Sequence, residues 1–298
     1  MCLGGAALKT SLSEKISLSI IYFVLFVLII LTLYPLIYVI FASFSNPNEI
    51  IANRGLLWKP LGFNLEAYKL VFSNPDIYTG YRNTLFIVIV GVSVNLVLTA
   101  LGAYVLSRKN VMWNRFFMIM ITFTMFFNGG LVPLYLVVKG VGLTNTLWST
   151  ILPFAVSTFN LIVMRTSFMS VPDSLEESAK IDGANHFTIL FKIIIPLSLP
   201  VIAVMGLYYA VEKWNGWFYA SIFIQDHNLY PLQIFLREIL ILSSTDTMSA
   251  GAAVGEQFQI GATIKYATIV VATLPILCVY PFIQRFFVKG VMIGALKG

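Results

Sequence analysis

The residues of this chain best suited to chemistry lie in one short stretch, Glu176-Glu177-Ser178-Ala179 followed by Asp182-Gly183, and it closes nine residues later with Ile193-Ile194-Ile195-Pro196. Carboxylates beside small side chains at helical spacing suit docking rather than bond-making, because Ser178 and Ala179 let another protein approach closely. Pro172-Asp173-Ser174 supplies a start signal, and Ser174 with Glu177 fits a Ser-x-x-Glu capping box. Glu176 and Glu177 then fall in the first turn, where the helix dipole favours carboxylates. The spacing predicts a short helix over Leu175–Asp182, a left-handed Gly183 that ends it, and a second helix from Asn185 through Pro196 into the next apolar segment. A plain amphipathic connector between two spans is the alternative reading of the same residues.

Catalytic patterns find no support. His186 and His227 are the only histidines, they are predicted on opposite sides of a membrane, and neither His-Glu-x-x-His nor a nucleophile elbow occurs. His186 reads as a loop surface residue. Cys2 and Cys278 form no disulfide framework, and Cys278 reads as a small apolar filler. Gly-x-x-x-x-Gly-Lys-Ser/Thr, which holds nucleotide phosphates, is missing.

The elements that must position the charged stretch are apolar. Hydrophobic residues make up 58% of the 298 residues and charged ones 11%, and mean hydropathy is +0.87, which leaves too little polar surface for a soluble globule. Crossing a hydrocarbon core of roughly 30 Å takes about 20 helical residues. Six spans are predicted: Ile16–Ala42, Thr84–Ser107, Phe116–Val138, Leu147–Met164, Ile193–Val211 and Tyr266–Gln284. Internal glycines and prolines, among them Gly129, Gly130, Pro133, Pro153 and Pro200, predict bends, which bundles tolerate.

Lys9, Lys15, Arg108, Lys109, Arg115, Arg285, Lys289 and Lys297 gather on one side of this topology, which makes both termini cytoplasmic by the positive-inside bias. The loop 171–196 then lies inside as well. That bias accounts for the net charge of +6 without any nucleic acid. Met1–Thr10 has no signal-peptide pattern, so the first helix is expected to serve as both targeting signal and anchor.

A single domain, 1–298, is expected, with outer loops 43–82 and 212–265 and a cytoplasmic tail 287–298. Trp58, Tyr68 and Phe72 make the first outer loop a folded cap. In the second, Pro231–Leu242 is predicted to form a short amphipathic interfacial helix with Arg237 and Glu238 turned to water, and Ser243–Gly261 a mobile loop.

The spacing of Glu177-Ser178-Ala179, Gly183 and Ile193-x-Ile195-Pro196 resembles the "EAA" loop of the membrane subunits of binding-protein-dependent ABC importers. Phe126-Phe127-Asn128-Gly129-Gly130-Leu131-Val132-Pro133, Trp214-Asn215-Gly216-Trp217-Phe218 and the ending from Phe287 to Gly298 are similar to the carbohydrate branch, the group that includes the smaller membrane subunit of the maltose importer. Ser178 and Ile195 depart from the pattern without changing side-chain size much. The resemblance implies an all-α integral membrane protein with the type I ABC importer permease fold in a bacterial cytoplasmic membrane.

By the same resemblance a second homologous permease, two ATPase subunits, an extracellular binding protein and an oligosaccharide are its partners, and this chain binds no cofactor of its own, ATP and magnesium residing on the partner subunits. Glu176, Glu177, Ser178, Ala179, Asp182 and Gly183 are then the ATPase-coupling residues. The tail residues Lys289, Gly290, Gly294 and Gly298 reach between the ATPases, and loop 243–259 enters the binding protein as a scoop.

Solute recognition calls for aromatic faces with amides and hydroxyls, and the candidates in or beside spans three to five are Asn128, Trp148, Asn160, Tyr208, Tyr209, Trp214 and Asn215. Ion-coupled carriers place ionisable groups inside their spans. Here Arg165, Glu212 and Lys213 sit near span ends, where snorkelling explains them. The alternative to an ATP-driven subunit is a self-contained ion-coupled carrier or channel.

Overall fold

The computed structural model describes residues 12–53, 55–249, 263–279 and 281. The tail residues Lys289, Gly290, Gly294 and Gly298, most of the predicted scoop and both chain ends lie outside them. In chain order the helices are α1 (Leu12–Ser43), α2 (Pro47–Ala52), α3 (Glu66–Ser73), α4 (Pro75–Ser107), α5 (Asn114–Phe126), α6 (Leu131–Gly140) and α7 (Thr158–Met169). They continue with α8 (Asp173–Ile181), α9 (His186–Ile189), α10 (Ile195–Leu197), α11 (Leu199–Trp214), α12 (Phe218–Phe223), α13 (Leu232–Ser249) and α14 (Thr263–Val279). Among the described residues there is no β-strand, only an isolated bridge between Ser45 and Phe63.

Among the described residues two helices, α1 and α4, are long and apolar enough to cross a membrane singly. Three further candidates among these residues are bent pairs, in keeping with the bends that the internal glycines and prolines predict, and each bend has a local cause. α5 and α6 meet at 115° across Phe127–Gly130, where Asn128 Oδ1 accepts the Gly130 N–H at 2.8 Å and Gly130 takes φ +87°, a conformation open to glycine. The 51° bend before α7 falls between Phe154 and Thr158, where Ser157 starts the new helix by accepting the Asn160 N–H with its side chain. Segment His186–Leu197 turns by 86° into α11 at Ser198, because Pro200 has no N–H for the Pro196 carbonyl and its ring crowds that oxygen.

Contacts divide the chain into two compact units, residues 1–71 with 243–270 and residues 72–242 with 271–298. In the first, the segment after α1 is folded as predicted. The Leu57 N–H donates to the Tyr34 hydroxyl at 3.0 Å, the Tyr34 and Trp58 rings lie 5.5 Å apart, and the Ser43 and Tyr68 hydroxyls share a hydrogen bond of 2.7 Å. The predicted loop boundary was too long, since α4 begins at Pro75 and not at Thr84. Asn74 caps it by accepting the Asp76 N–H, and the proline at the first helical position is preset for a helix.

In the second unit α4 packs against α7 and α11. Ala100, Ala103 and Tyr104 of α4, Leu161, Met164 and Phe168 of α7, Ile189, Leu190 and Ile194 beyond α8, and Met205 of α11 form one buried cluster. α13 runs seven residues beyond the predicted Leu242, so Ser243–Ser249 is helical and not a loop. Arg237 and Glu238 are exposed as expected, and the Arg237 guanidinium stands 4.2 Å over the Trp217 ring. Cys278 is exposed on α14 and fills no core of this chain.

Lys213 does not snorkel. It is buried, and its Nζ donates to the Thr150 carbonyl at 2.8 Å while lying 5.6 Å over the Phe154 ring. The carbonyl needs that donor, because in the 3-10 turns Leu147–Thr150 and Leu152–Phe154 the residue three positions on is Pro153, which has no N–H. Lys213→Met leaves the Thr150 carbonyl without its donor but also removes a desolvated ammonium, so only a modest fall in thermal stability is expected. Lys213→Glu, which sets a carboxylate against a carbonyl in a buried place, is expected to lose most of the folded protein in a detergent-solubilised melting assay.

Candidate functional site

The loop 171–196 folds into a knuckle. α8 starts at Asp173, earlier than the predicted Leu175, with Pro172 as the preceding residue and no side-chain cap. The Ser174–Glu177 capping box is therefore not formed; Ser174 is already inside the helix. The C-terminal end follows the sequence expectation closely. Gly183 has φ +80°, the Ala184 N–H bonds the Ala179 carbonyl at 2.9 Å and the Gly183 N–H bonds the Lys180 carbonyl at 3.0 Å. These are the two hydrogen bonds of a Schellman cap. Asn185 then caps the next helix by accepting the Thr188 N–H at 2.8 Å.

The six carboxylate and small-residue positions separate into two groups. Glu177, Ser178, Asp182 and Gly183 are exposed, and with them Ile181 at 87% and Leu175 at 42%. Ala179 packs inward against the buried cluster. Glu176 is also turned inward and bonds the Arg108 guanidinium, with side chains only 9% and 14% exposed. Lys180 Nζ reaches the other Glu176 oxygen at 3.0 Å. Burial pushes the Glu176 carboxyl up, but the Lys180 ammonium and the Arg108 guanidinium outweigh it and hold it below the ordinary value.

That direction fixes a pH response. A carboxylate with a lowered folded pKa contributes stability above its unfolded value and loses it as pH falls through the folded one. A spin label at Ser178 should report constant mobility from about pH 8 to about pH 5, loosening only below the usual glutamate value of 4.5.

Beside α8 lies a cleft of about 670 Å³ lined by Tyr104, Arg108, Lys109, Glu176, Lys180 and His186, among others. Lys109 and Asp173 pair across its rim at 2.7 Å, both exposed, a geometry worth little in water. The Tyr104 hydroxyl and His186 Nδ1 lie 3.1 Å apart, so His186 is a hydrogen-bonded surface residue. Sequence reading missed Arg108 as a partner of Glu176; its only signal was a cation at the end of an apolar helix.

The residues proposed for a solute path differ in exposure. Tyr209 is completely buried; its hydroxyl shares a hydrogen bond with Thr99 at 2.7 Å and accepts the Ser157 N–H at 3.0 Å, so it presents no face to a solute in this conformation. Asn160 and Trp214 are buried as well, whereas Trp148 and Tyr208 are exposed at 40% and 51%. Asn128 is spent on the turn before α6, and the Asn215 amide donates to the Val211 carbonyl. Among the described residues no group of histidine, cysteine and carboxylate side chains is placed to hold a metal.

Residues 96–293, which include the whole knuckle, match the family described as "Binding-protein-dependent transport system inner membrane component". The chain belongs to that family. Like it, the polygalacturonan/rhamnogalacturonan transport system permease protein YtcP of Bacillus subtilis is similar, at 44% identity over 88% of this chain and 91% of its own. Protein LplC of the same organism is 43% identical over 88% of each. Among solved structures, one described as a bacterial ABC transporter involved in the import of the acidic polysaccharide alginate superposes with a TM-score of 0.83 at 32% identity, covering 93% of this chain and 99% of that one. The permease is thus an integral membrane protein of the type I fold, all-helical among its described residues, and its relatives are transport subunits of the carbohydrate branch.

Proposed function

We propose that this permease is one of two membrane subunits of an ATP-driven importer, that its knuckle 171–196 is the docking site for an ATPase subunit, and that the cargo is an oligosaccharide handed over by an extracellular binding protein. The observation that carries the reading is the knuckle itself. Ile181, nine-tenths bare, and Leu175 stand beside the small Ser178 on a helix braced from behind, which is how a docking edge is built.

In this reading six spans cross the membrane with both termini inside: α1, α4, the three bent pairs and α14. A second permease of the same family completes the path, and α8 transmits closure of the ATPases to the spans by alternating access. ATP and magnesium are held by those partners and not by this chain. The family supports a bacterial cytoplasmic membrane as the location, and acidic oligosaccharides head the cargo candidates because the relatives' names point there.

The test compares two preparations in liposomes. The permease alone should pass no labelled oligogalacturonide with or without ATP. The assembly with its second permease, ATPases and binding protein should import it only with ATP. ATP-independent flux through the chain alone would overturn the reading in favour of a self-contained carrier or channel.

A further inference from the structure

Three chain segments meet at α8, and only two of them are joined to it covalently. α7 enters it through Val171 and Pro172, and the segment from His186 to α11 leaves it through Gly183 and Ala184. α4 is not continuous with α8, although it packs against both α7 and α11 and supplies much of the buried cluster. Any push on α8 reaches α4 directly only through non-covalent ties.

The ties are unequal. Lys109–Asp173 is exposed and weak by that fact. Tyr104–His186 is a single neutral hydrogen bond of 3.1 Å. Beside the apolar packing of Ala179 on the buried cluster, Arg108, the residue that caps α4, makes several further ties among the described residues. Its guanidinium bonds the Glu176 carboxylate of α8, donates from the other terminal nitrogen to the Phe168 carbonyl of α7 at 3.3 Å, bonds the Ser107 hydroxyl through Nε at 3.1 Å and lies 4.9 Å over the Tyr104 ring. A planar five-donor fork serves these directions at once, which a lysine ammonium does not.

We propose that Arg108 is the positioning residue that makes α4, α7 and α8 move as one body, so that displacement of the docking helix is delivered to the longest buried span of this unit through the Arg108–Glu176 pair. Glu176 thereby has a different task from its neighbour Glu177: it faces inward as an anchor, while Glu177 stays free for a partner. The proposal rests on the docking reading above.

The readout is solute imported per ATP hydrolysed by the full reconstituted transporter, with complex integrity followed by size exclusion. Arg108→Ala and Glu176→Gln are each expected to lower that ratio roughly ten-fold, the scale of a charged hydrogen bond, while ATP continues to be hydrolysed. The double variant should be no worse than Arg108→Ala alone, because Glu176→Gln has no guanidinium left to lose once Arg108 is gone. Should Arg108→Ala fail to assemble, Glu176→Gln, nearly identical in shape, decides alone. Unchanged ratios in the single variants, or a double loss equal to the product of the two, would overturn the proposal. Gly183→Val in the same preparation separates the levels: if it lowers the ratio and Arg108→Ala does not, only the Arg108 role fails, and if it too is without effect, the docking reading has failed.

Discussion

Gly183→Val is expected to abolish most solute-dependent ATP turnover in the assembled transporter while leaving the permease folded. Among the described residues, and apart from its two neighbours in the chain, no atom lies within 4 Å of the place a Cβ would take at Gly183. The cost of the substitution is the backbone. A φ of +80° is disfavoured for a residue with a side chain by about 1–2 kcal/mol, and worse for a β-branched one. That is roughly five- to thirty-fold in the balance between the capped and the frayed end of α8. When the cap frays, the bonds from Ala184 to Ala179 and from Gly183 to Lys180 are lost and Ile181 no longer has a fixed position. Gly183→Asn, a residue that tolerates the left-handed region, should retain most of the activity. Equal loss with asparagine and valine would show that side-chain bulk against a partner, and not the backbone, is the cause.

Gly80→Ala is expected to lower the melting temperature and the yield of the permease by the largest margin of any single methyl added to α4. A Cβ there would sit 2.8 Å from Phe235 Cδ2, 2.9 Å from Leu232 Cα and 3.1 Å from Leu232 N. Two of these atoms are backbone and cannot swing aside. Leu232 is also held in place, since its N–H donates to the Thr84 hydroxyl at 2.9 Å, and the Asn83 amide holds the carbonyls of Asn228 and Tyr230 at 2.8 and 3.0 Å. Relief of the clash requires giving up these bonds. Overpacking of this kind costs about 1–3 kcal/mol, and each hydrogen bond lost about 1 kcal/mol more. Thermal unfolding of the detergent-solubilised protein checks it, and an unchanged midpoint would mean that α13 does not approach α4 so closely.

What the sequence disclosed and what it hid follow a physical division. Local backbone chemistry was readable: Gly183 as the left-handed cap, Asn185 as the next start and the exposure of Arg237 and Glu238 all depend on neighbours in the chain. Hydropathy windows were blind to direction. The glycines and prolines of Phe116–Val138 and Ile193–Val211 announced bends but not their size, 115° and 86°, because a window sums apolarity and not the path of the axis. The Ser174–Glu177 box failed for a related reason, since the helix found its start two residues earlier at Pro172.

Long-range pairings were not readable at all. Arg108 with Glu176, Lys213 with the Thr150 carbonyl, and Asn83 with Asn228 are separated by dozens of residues, and each ordinary sequence rule assigned the cations to the membrane surface. Tyr209 was placed on the solute path because a tyrosine in a span near a polar motif has the right chemistry. In this conformation that hydroxyl joins α4, α11 and the start of α7.

The docking role of the knuckle is tested most directly by a photo-reactive amino acid at position 181 of the permease in its complete transporter, irradiated with and without ATP. Ile181 is the most exposed apolar residue of α8, so the expected result is a single adduct with an ATPase subunit whose yield changes with nucleotide. Adducts with lipid or with the second permease alone, from an intact and active complex, would contradict it.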